Sequence, residues 1–548
     1  MADEFDVVVV GSGGAGMTAA LTAAHHGLSV VLVEKTSYFG GSTARSGGGI
    51  WIPGNEVLKS AGLRDYSWQA RDYLAHVADG YASAERQDAF LTHGPAMLSF
   101  VTSHSPLRLS WVRGYSDYYP EGPGGRQEGR SVEPVPVDAH ILKDEEPHLN
   151  PPYLPVPDGV AITQGDYRWL SLGPRHPRAI IAGMKFTGRL LKGKLTGKRP
   201  VSLGQALVTG LRAGLAQAGV PVWLDTPLTG LEVTDGRVTG VKVTGEHEGT
   251  ITARKGVILA AGGFERNAEM RRRYQAEPVG DEWTTGSVGN TGEAITAAEE
   301  AGAALDLMDD AWWGPSIPMP RGPYFVLAER SLPGCVLVNS EGQRFVNESA
   351  PYVDAVHAMY EGHAGGTSHI PSWLIFDQRY QETYVFAGRQ PGKRFPNKWY
   401  TAGIIHTDPE ITGLAARIGA DPSVLEKTVA RFSEFAAAGK DEDFHRGDSA
   451  YDRYYGDPRV KPNPNLAPLA KPPFYAVQIV PGDLGTKGGV VTDERARALR
   501  ADGSVVEGLY AAGNNSAAVM GHSYAGAGAT IGPAMAFGYI AALDLAGA

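Results

Sequence analysis

Asp6-Val7-Val8-Val9-Val10-Gly11-Ser12-Gly13-Gly14-Ala15-Gly16 runs a four-valine stretch straight into a glycine-rich turn. Consecutive β-branched residues closed by glycine favour a short buried strand. From Ala15 to His26 the residues are small and helix-forming, the run stops at Gly27, and Ser29 to Glu34 is a second apolar strand. Strand, turn, helix and strand within about 30 residues make one βαβ unit, joining two parallel strands. In that setting Gly11, Gly13 and Gly16 fit Gly-x-Gly-x-x-Gly, a dinucleotide-binding turn. The first glycine permits the tight turn, the second lets backbone reach a pyrophosphate, and the third lets helix and strand pack closely. Ser12, Gly14 and Ala15 complete the loop that opens the helix, whose N-terminus faces the phosphates. Glu34, at the end of the second strand, is placed to accept hydrogen bonds from an adenosine ribose, whereas an arginine there would suit a 2′-phosphate.

The whole chain has 548 residues, beyond the roughly 250–300 at which one core stops growing, so at least two domains are expected. Its 71 glycines are about 13% of the residues against about 7% ordinarily. They follow no collagen period, and 23 Tyr, 16 Phe and 10 Trp rule out wholesale disorder. Fifty Lys and Arg against 60 Asp and Glu give a formal charge of -10, which argues against a general nucleic-acid binder. Cys335 is the single cysteine, so a disulfide framework or thiolate cluster within one chain is excluded. No His-Glu-x-x-His is present, and Gly521-His522-Ser523-Tyr524-Ala525-Gly526 has the wrong spacing for a hydrolase elbow; no metal is predicted. The acidic start before the valines is the wrong order for a signal peptide, and no apolar run reaches the roughly 18–20 residues of a membrane span. The expectation is a soluble protein of a reducing cytoplasm.

Further along, Leu203 to Ala218 reads as an amphipathic helix, and Val222 to Val257 as a meander with Asp235-Gly236 as a hairpin turn. Lys255 to Gly263 is an apolar strand entering paired glycines. From about Asp310 to Pro481 the texture becomes aromatic and proline-rich. The βαβ style then returns with Gly508 to Asn514 and a closing helix from Thr530 to Leu543. The division predicted is 1–309 and 482–548 as two parts of one domain, with 310–481 inserted. Lys185, Arg189, Lys192, Lys194, Lys198 and Arg199 cluster without an acidic residue, interleaved with Phe186, Leu190, Leu191 and Leu195. Two readings stand: a solvated loop, or weak attachment to an anionic membrane surface, where each basic residue contributes about 1 kcal/mol.

Gly40 to Gly49 is a second glycine and hydroxyl cluster, long enough to lie along an extended cofactor. Together with Lys35, Ala260-Ala261-Gly262-Gly263 and Ala511-Ala512-Gly513-Asn514 it resembles the FAD domain of the fumarate reductase and succinate dehydrogenase flavoprotein superfamily. The resemblance implies an α/β fold: a Rossmann-like FAD-binding domain of the glutathione-reductase type with an inserted α+β catalytic domain. It extends the cofactor set to Lys35, Thr36, Gly40, Gly41, Ser42, Thr43, Ser46, Gly47, Gly48, Ala261, Gly262, Gly263, Gly513, Asn514 and Ile531. Covalent members carry a histidine in the segment corresponding to Gly41-Ser42-Thr43; its absence here implies noncovalent FAD. No second strand-associated Gly-x-Gly-x-x-Gly exists for NAD(P)H, so electrons are expected to leave to an external acceptor, a quinone or artificial dye.

Arg344-Phe345-Val346-Asn347-Glu348 is followed by Tyr352 where the soluble fumarate reductases place a proton-delivering arginine. Loss of that cation disfavours a dianionic substrate. The segments around Tyr352, Tyr118 and Tyr524 instead resemble 3-ketosteroid Δ1-dehydrogenases, as do Trp51-Ile52-Pro53-Gly54, Ser83 to Asp88, Phe444-His445-Arg446-Gly447 and Gly482 to Gly489. That family often has Tyr-Pro-Gly-Pro-Gly where this chain has Tyr524-Ala525-Gly526-Ala527-Gly528, losing two fixed φ angles. The resemblance implies a 3-ketosteroid substrate, with Tyr352 as base toward C2 and Tyr118 supporting its phenolate. Tyr524 O–H and Gly528 N–H would hold the C3 oxygen, as an oxyanion hole does at about 3–4 kcal/mol per donor. The helix from Thr530 would aim its positive end at the flavin. Tyr119 is an alternative to Tyr118, and Phe325, Trp312 and Trp313 either line an apolar slot or pack a core. Rival readings are a 4-ene-(5α) dehydrogenase, a fumarate-reductase-like enzyme, and a catalytically silent flavoprotein.

Overall fold

Val7 to Val10 belong to the strand Asp3–Val10, which pairs in parallel with Val30–Val33 on one side and Gly249–Leu259 on the other. Val222–Trp223 continues the sheet beyond Val30–Val33, and Val505–Ala511 continues it beyond Gly249–Leu259, again in parallel. The computed structural model describes residues 3–153 and 161–548, without the side chains of Lys192 and Lys194. Parallel strands are covered on both faces. Val7, Val9 and Leu32 pack with residues of the helices Gly14–His25 and Ile531–Ala546, while Val8, Val10 and Val31 pack with Val241, Val257 and Ala298. Thr234 stands opposite Arg237 in the antiparallel pair Leu228–Thr234 and Arg237–Val243, so Asp235-Gly236 is the predicted two-residue turn.

Register places the site. Val10 lies opposite both Val33 and Leu259, and Leu259 lies opposite Ala511. These strands end level, so the turns that begin at Gly11, Ala260 and Ala512, together with Glu34, emerge at one carboxyl edge, where open α/β sheets bind ligands.

A second sheet is antiparallel, in the order Tyr324–Phe325, Ala311–Ile317, Phe474–Thr486, Ser372–Asp377, Cys335–Val338, with Ile405–Asp408 also on Phe474–Thr486. Trp313, Leu337, Phe376 and Tyr475 fill one of its cores. The architecture is α/β, with a Rossmann-like sheet and this second, mixed layer.

The reading of 185–199 as a loop is corrected: most of it lies in the helix Pro177–Thr196. Its Leu, Met, Lys and Arg residues are good helix formers that a charge count overlooks, Pro177 suits the first turn, and His176 caps the Arg178 N–H. Lys192 and Lys194, part of the same basic cluster, have side chains outside the described residues. No helix among the described residues is long and apolar enough to cross a membrane.

Candidate active site

A cavity of about 750 Å³ opens at the carboxyl edge and runs from Glu34 to the three tyrosines, toward the upper end of the roughly 300–1,000 Å³ usual for ligand sites. Gly11 adopts φ +101°, and a Cβ there would lie 2.4 Å from the Ala260 carbonyl oxygen, so only glycine allows the chain to turn beneath the neighbouring strand. Glu34 Oε2 accepts hydrogen bonds from Ser12 N–H at 3.1 Å and Ser12 Oγ at 2.5 Å, and Oε1 accepts from Thr36 N–H at 3.0 Å. Gly14 N–H donates to Thr43 Oγ1 at 3.0 Å, joining the two glycine clusters. A Cβ on Gly41 would meet nothing closer than Gly13 Cα at 3.9 Å. The backbone of Gly13 and Gly41 thus leaves the space that a pyrophosphate would need, while Gly14 packs against Thr43 and Met535, and Glu34 borders the same cavity. These residues fit FAD.

Of the predicted cofactor residues, Gly11 through Ala15, Glu34, Lys35, Gly41 through Thr43, Ser46 through Gly48, Ala261, Gly262, Gly513, Asn514 and Ile531 border the cavity. Gly16, Thr36, Gly40 and Gly263 do not. Gly16 is pressed against the Gly11 carbonyl, Gly40 against Ala44 and Val208, and Gly263 against Thr486 Oγ1, so close packing consumes them. Thr36 braces Glu34 instead of facing a ligand. Sequence reading missed Ser287 and Asn290, which border the cavity while Ser287 N–H and Asn290 Nδ2 donate to Ser42 Oγ at 2.9 and 3.0 Å. Gly289-Asn290-Thr291-Gly292 was their available signal.

At the other end, Tyr118, Tyr352 and Tyr524 form a cluster with ring centroids 5.2–5.4 Å apart. Tyr118 O–H donates to Tyr352 Oη at 3.1 Å. Thr530 Oγ1 donates to Tyr524 Oη at 2.9 Å, which leaves the Tyr524 proton free to donate to a ligand. Gly528, φ +98°, presses against the Gly49 and Ile50 backbone, and its N–H has no partner among the described residues. Burial pushes the Tyr352 phenol well above its ordinary pKa, with Tyr524 and Tyr115 adding to it and the Tyr118 hydrogen bond opposing. Burial likewise raises Tyr524, against the hydrogen bonds of Thr530 and Tyr352.

The loop that lacks its two prolines is held in other ways. The Ala525 carbonyl accepts from Tyr118 N–H at 3.1 Å and Tyr73 O–H at 2.6 Å, and Gly526 packs on Trp51, whose indole N–H donates to Asp117 at 2.8 Å. Tyr352 opens the helix Tyr352–Ala364. The preceding turn is clamped by Arg330, which donates to the Glu348 and Ala350 carbonyls at 2.5 and 2.6 Å. Buried Arg446 donates to Glu348 Oε2 and Ser349 Oγ, both at 3.1 Å, and Arg344 bridges Glu348 and Asp441. The Arg344-to-Glu348 motif therefore positions the tyrosine.

Tyr119 points elsewhere, donating to Asp354 at 2.7 Å, so it is not the partner of Tyr352. Phe325 borders the cavity edge-on to Tyr352, ring centroids 5.1 Å apart. Trp312 instead backs Tyr524 and donates to Asn514 at 3.0 Å, and Trp313 is core. Tyr115, Tyr167, Tyr324, Tyr455, Leu327 and Leu484 also line the cavity, whose described cationic lining residues are Lys35, Arg45 and Arg199. Their separation along the chain, from 115 to 484, hid them from sequence reading.

The FAD binding domain family matches residues 6–531. The chain is 56% identical to a 3-oxosteroid 1-dehydrogenase of Mycolicibacterium smegmatis over 553 residues, covering 99% of this chain and 97% of that protein. It is 35% identical to a 4-oxocyclohex-2-ene-1-carboxylate 5-dehydrogenase of Sinomonas cyclohexanicum, covering 99% and 93%. A solved 3-ketosteroid delta1-dehydrogenase from Sterolibacterium denitrificans, in complex with 1,4-androstadiene-3,17-dione, superposes with a TM-score of 0.94 at 40% identity over the full length of both chains. With the dinucleotide cradle at one end of the cavity and three buried tyrosines at the other, the chain belongs to the 3-oxosteroid 1-dehydrogenase family of FAD-binding flavoenzymes.

Proposed function

We propose that this enzyme introduces the 1,2 double bond into 3-ketosteroids, and that Tyr352 is the base. The observation carrying the reading is the Tyr118-to-Tyr352 hydrogen bond beside a Tyr524 whose hydroxyl already accepts from Thr530. The C3 oxygen would accept from Tyr524 O–H and Gly528 N–H, which lowers the acidity barrier at C2 by stabilising enolate-like charge. Tyr352 takes the C2 proton, and Tyr118 donates to the phenolate form. Noncovalent FAD, when bound, supplies the acceptor at N5 for the hydride leaving C1 with its electron pair. Loss of one proton and one hydride leaves C1=C2. Glu34, Ser12 and the Gly11–Gly16 backbone would hold the dinucleotide, and Ile531, at the start of its helix, would turn a positive end toward the ring. Electrons then pass to an external quinone or dye.

The hydroxyls of Tyr118, Tyr352 and Tyr524 are uncharged hydrogen-bonding groups, which suits a neutral ketone. Tyr352, standing where the fumarate reductases place an arginine, disfavours a fumarate-type substrate. The test is anaerobic mixing of FAD-loaded enzyme with androst-4-ene-3,17-dione. Bleaching of the flavin band with loss of two hydrogens at C1–C2 is expected. No bleaching with any 3-ketosteroid sinks the reading, and desaturation at C4–C5 of a 5α substrate transfers it to the 4-ene class. Tyr352→Phe should keep FAD and steroid binding while kcat falls about 10²-fold or more.

A further inference from the structure

The segment Ser83 to Asp88, which the chemistry above leaves unused, opens the helix Ala84–Ser103, where the Arg86 N–H donates to Ser83 Oγ at 3.2 Å. The Arg86 side chain then runs inward. It is 6% exposed, its guanidinium lies 5.1 Å from the centre of the Phe537 ring on the helix Ile531–Ala546, and it donates to the Ala517 carbonyl at 2.8 Å. Its Nε has no partner among the described residues. The carboxylates that act on it, Asp493 and Asp306, are engaged by Arg497 and by the Leu307 N–H. Burial pulls its pKa down to about 10 against the opposing pull of these two carboxylates, so the group keeps its charge near neutrality. A buried charge without a paired carboxylate destabilises a fold.

Arg86 lines a cavity of about 20 Å³, room for about one water, together with Gly513, Asn514, Thr530 and Ala534. Those four residues also border the large cavity. At one end of this shared wall a Cβ on Gly513 would meet Ala15 of the phosphate turn at 3.4 Å, and at the other Thr530 donates to Tyr524. The helix Ile531–Ala546 starts there with no side-chain cap and no acidic residue in its first turn. A buried guanidinium and an open helix N-terminus therefore stand behind one wall of the FAD site.

We propose that Arg86 is the buried counter-charge for reduced FAD, a supporting charge that acts through this wall. Two electrons and one proton leave one added negative charge on the flavin ring, and a cation held in a low-dielectric interior favours that form over the uncharged oxidised ring. The inference rests on FAD binding and not on the steroid reading.

The test is the two-electron midpoint potential of full-length, FAD-loaded protein, read against a reference dye without steroid. Arg86→Met should disfavour the reduced form about tenfold, a fall of about 30 mV. Arg86→Gln, which keeps a donor for the Ala517 carbonyl, should fall as far, and Arg86→Lys, which keeps the charge, should stay near the parent. Equal potentials in all four proteins overturn the proposal, and so does an equal fall in all three variants, the mark of a packing role. Weaker FAD binding by Arg86→Met apoprotein in a fluorescence titration, at unchanged potential, overturns it in favour of a role at the pyrophosphate. A parent potential that moves with chloride concentration, while that of Arg86→Met stays fixed, overturns it in favour of an exchangeable anion beside Arg86. No steroid enters the measurement, so its outcome is separate from that of the steroid test.

Discussion

Tyr118→Phe removes one hydroxyl from the site and leaves the ring. That hydroxyl donates to Tyr352 at 3.1 Å between two buried side chains, and the contacts of the Tyr118 ring with Tyr524 and Tyr352 remain available to phenylalanine. A hydrogen bond to a charged group contributes about 1.5–3 kcal/mol against about 0.5–1.5 for a neutral pair, so the phenolate loses about 1–2 kcal/mol more than the phenol does. At 1.36 kcal/mol per unit, the Tyr352 pKa should rise by about one further unit. The sign follows from the active form. Proton removal needs the deprotonated phenol, whose pKa burial already holds above the ordinary value. The pH profile of kcat/KM should therefore climb with rising pH, and Tyr118→Phe should move that limb upward. At any pH below both pKa values, turnover should fall about tenfold. The assay is steady-state oxidation of androst-4-ene-3,17-dione with a dye acceptor from near-neutral to strongly alkaline pH, with bound FAD quantified in both proteins. Superimposable profiles would refute the role given to Tyr118, and so would an equal loss at every pH without displacement of the limb.

Tyr524→Phe should weaken ketone binding and turnover together, by about 10²–10³ in kcat/KM, the cost of one oxyanion donor; an unchanged value in stopped-flow reduction would remove it from the hole. Glu34→Gln should lower FAD affinity about 10- to 100-fold in a fluorescence titration of apoprotein, with reduction rate per bound FAD preserved. Arg446→Met leaves Glu348 with a buried charge short of one partner, and should cost about 3–5 kcal/mol in denaturant unfolding. Stability equal to the parent would show that Arg330 and Arg344 hold the turn before Tyr352 without it.

Much of the cofactor end was legible because it is local. Strand, glycine turn, helix and acidic strand end occupy Asp6 to Glu34, and parallel pairing fixes their relative placement once the strands form. Even so, four of the residues assigned to FAD serve packing or support. A glycine against a ligand and a glycine against a neighbouring backbone look identical in sequence, and only the 1.9 Å approach of a Gly16 Cβ to the Gly11 carbonyl separates them. The segment 185–199 was misread as a loop because its lysines and arginines were counted as charges, although they are also good helix formers.

By itself the sequence determined the βαβ nucleotide unit, the noncovalent expectation for FAD from the missing histidine, and the choice of tyrosine over arginine at position 352. Tertiary structure decided what that tyrosine meets. Tyr118 and Tyr352 lie 234 positions apart, and no spacing rule along a chain reports a contact made by bringing a loop of one layer against a helix start of another. It also separated Tyr118 from adjacent Tyr119, because successive side chains leave the backbone in different directions and only one of the two hydroxyls reaches Tyr352.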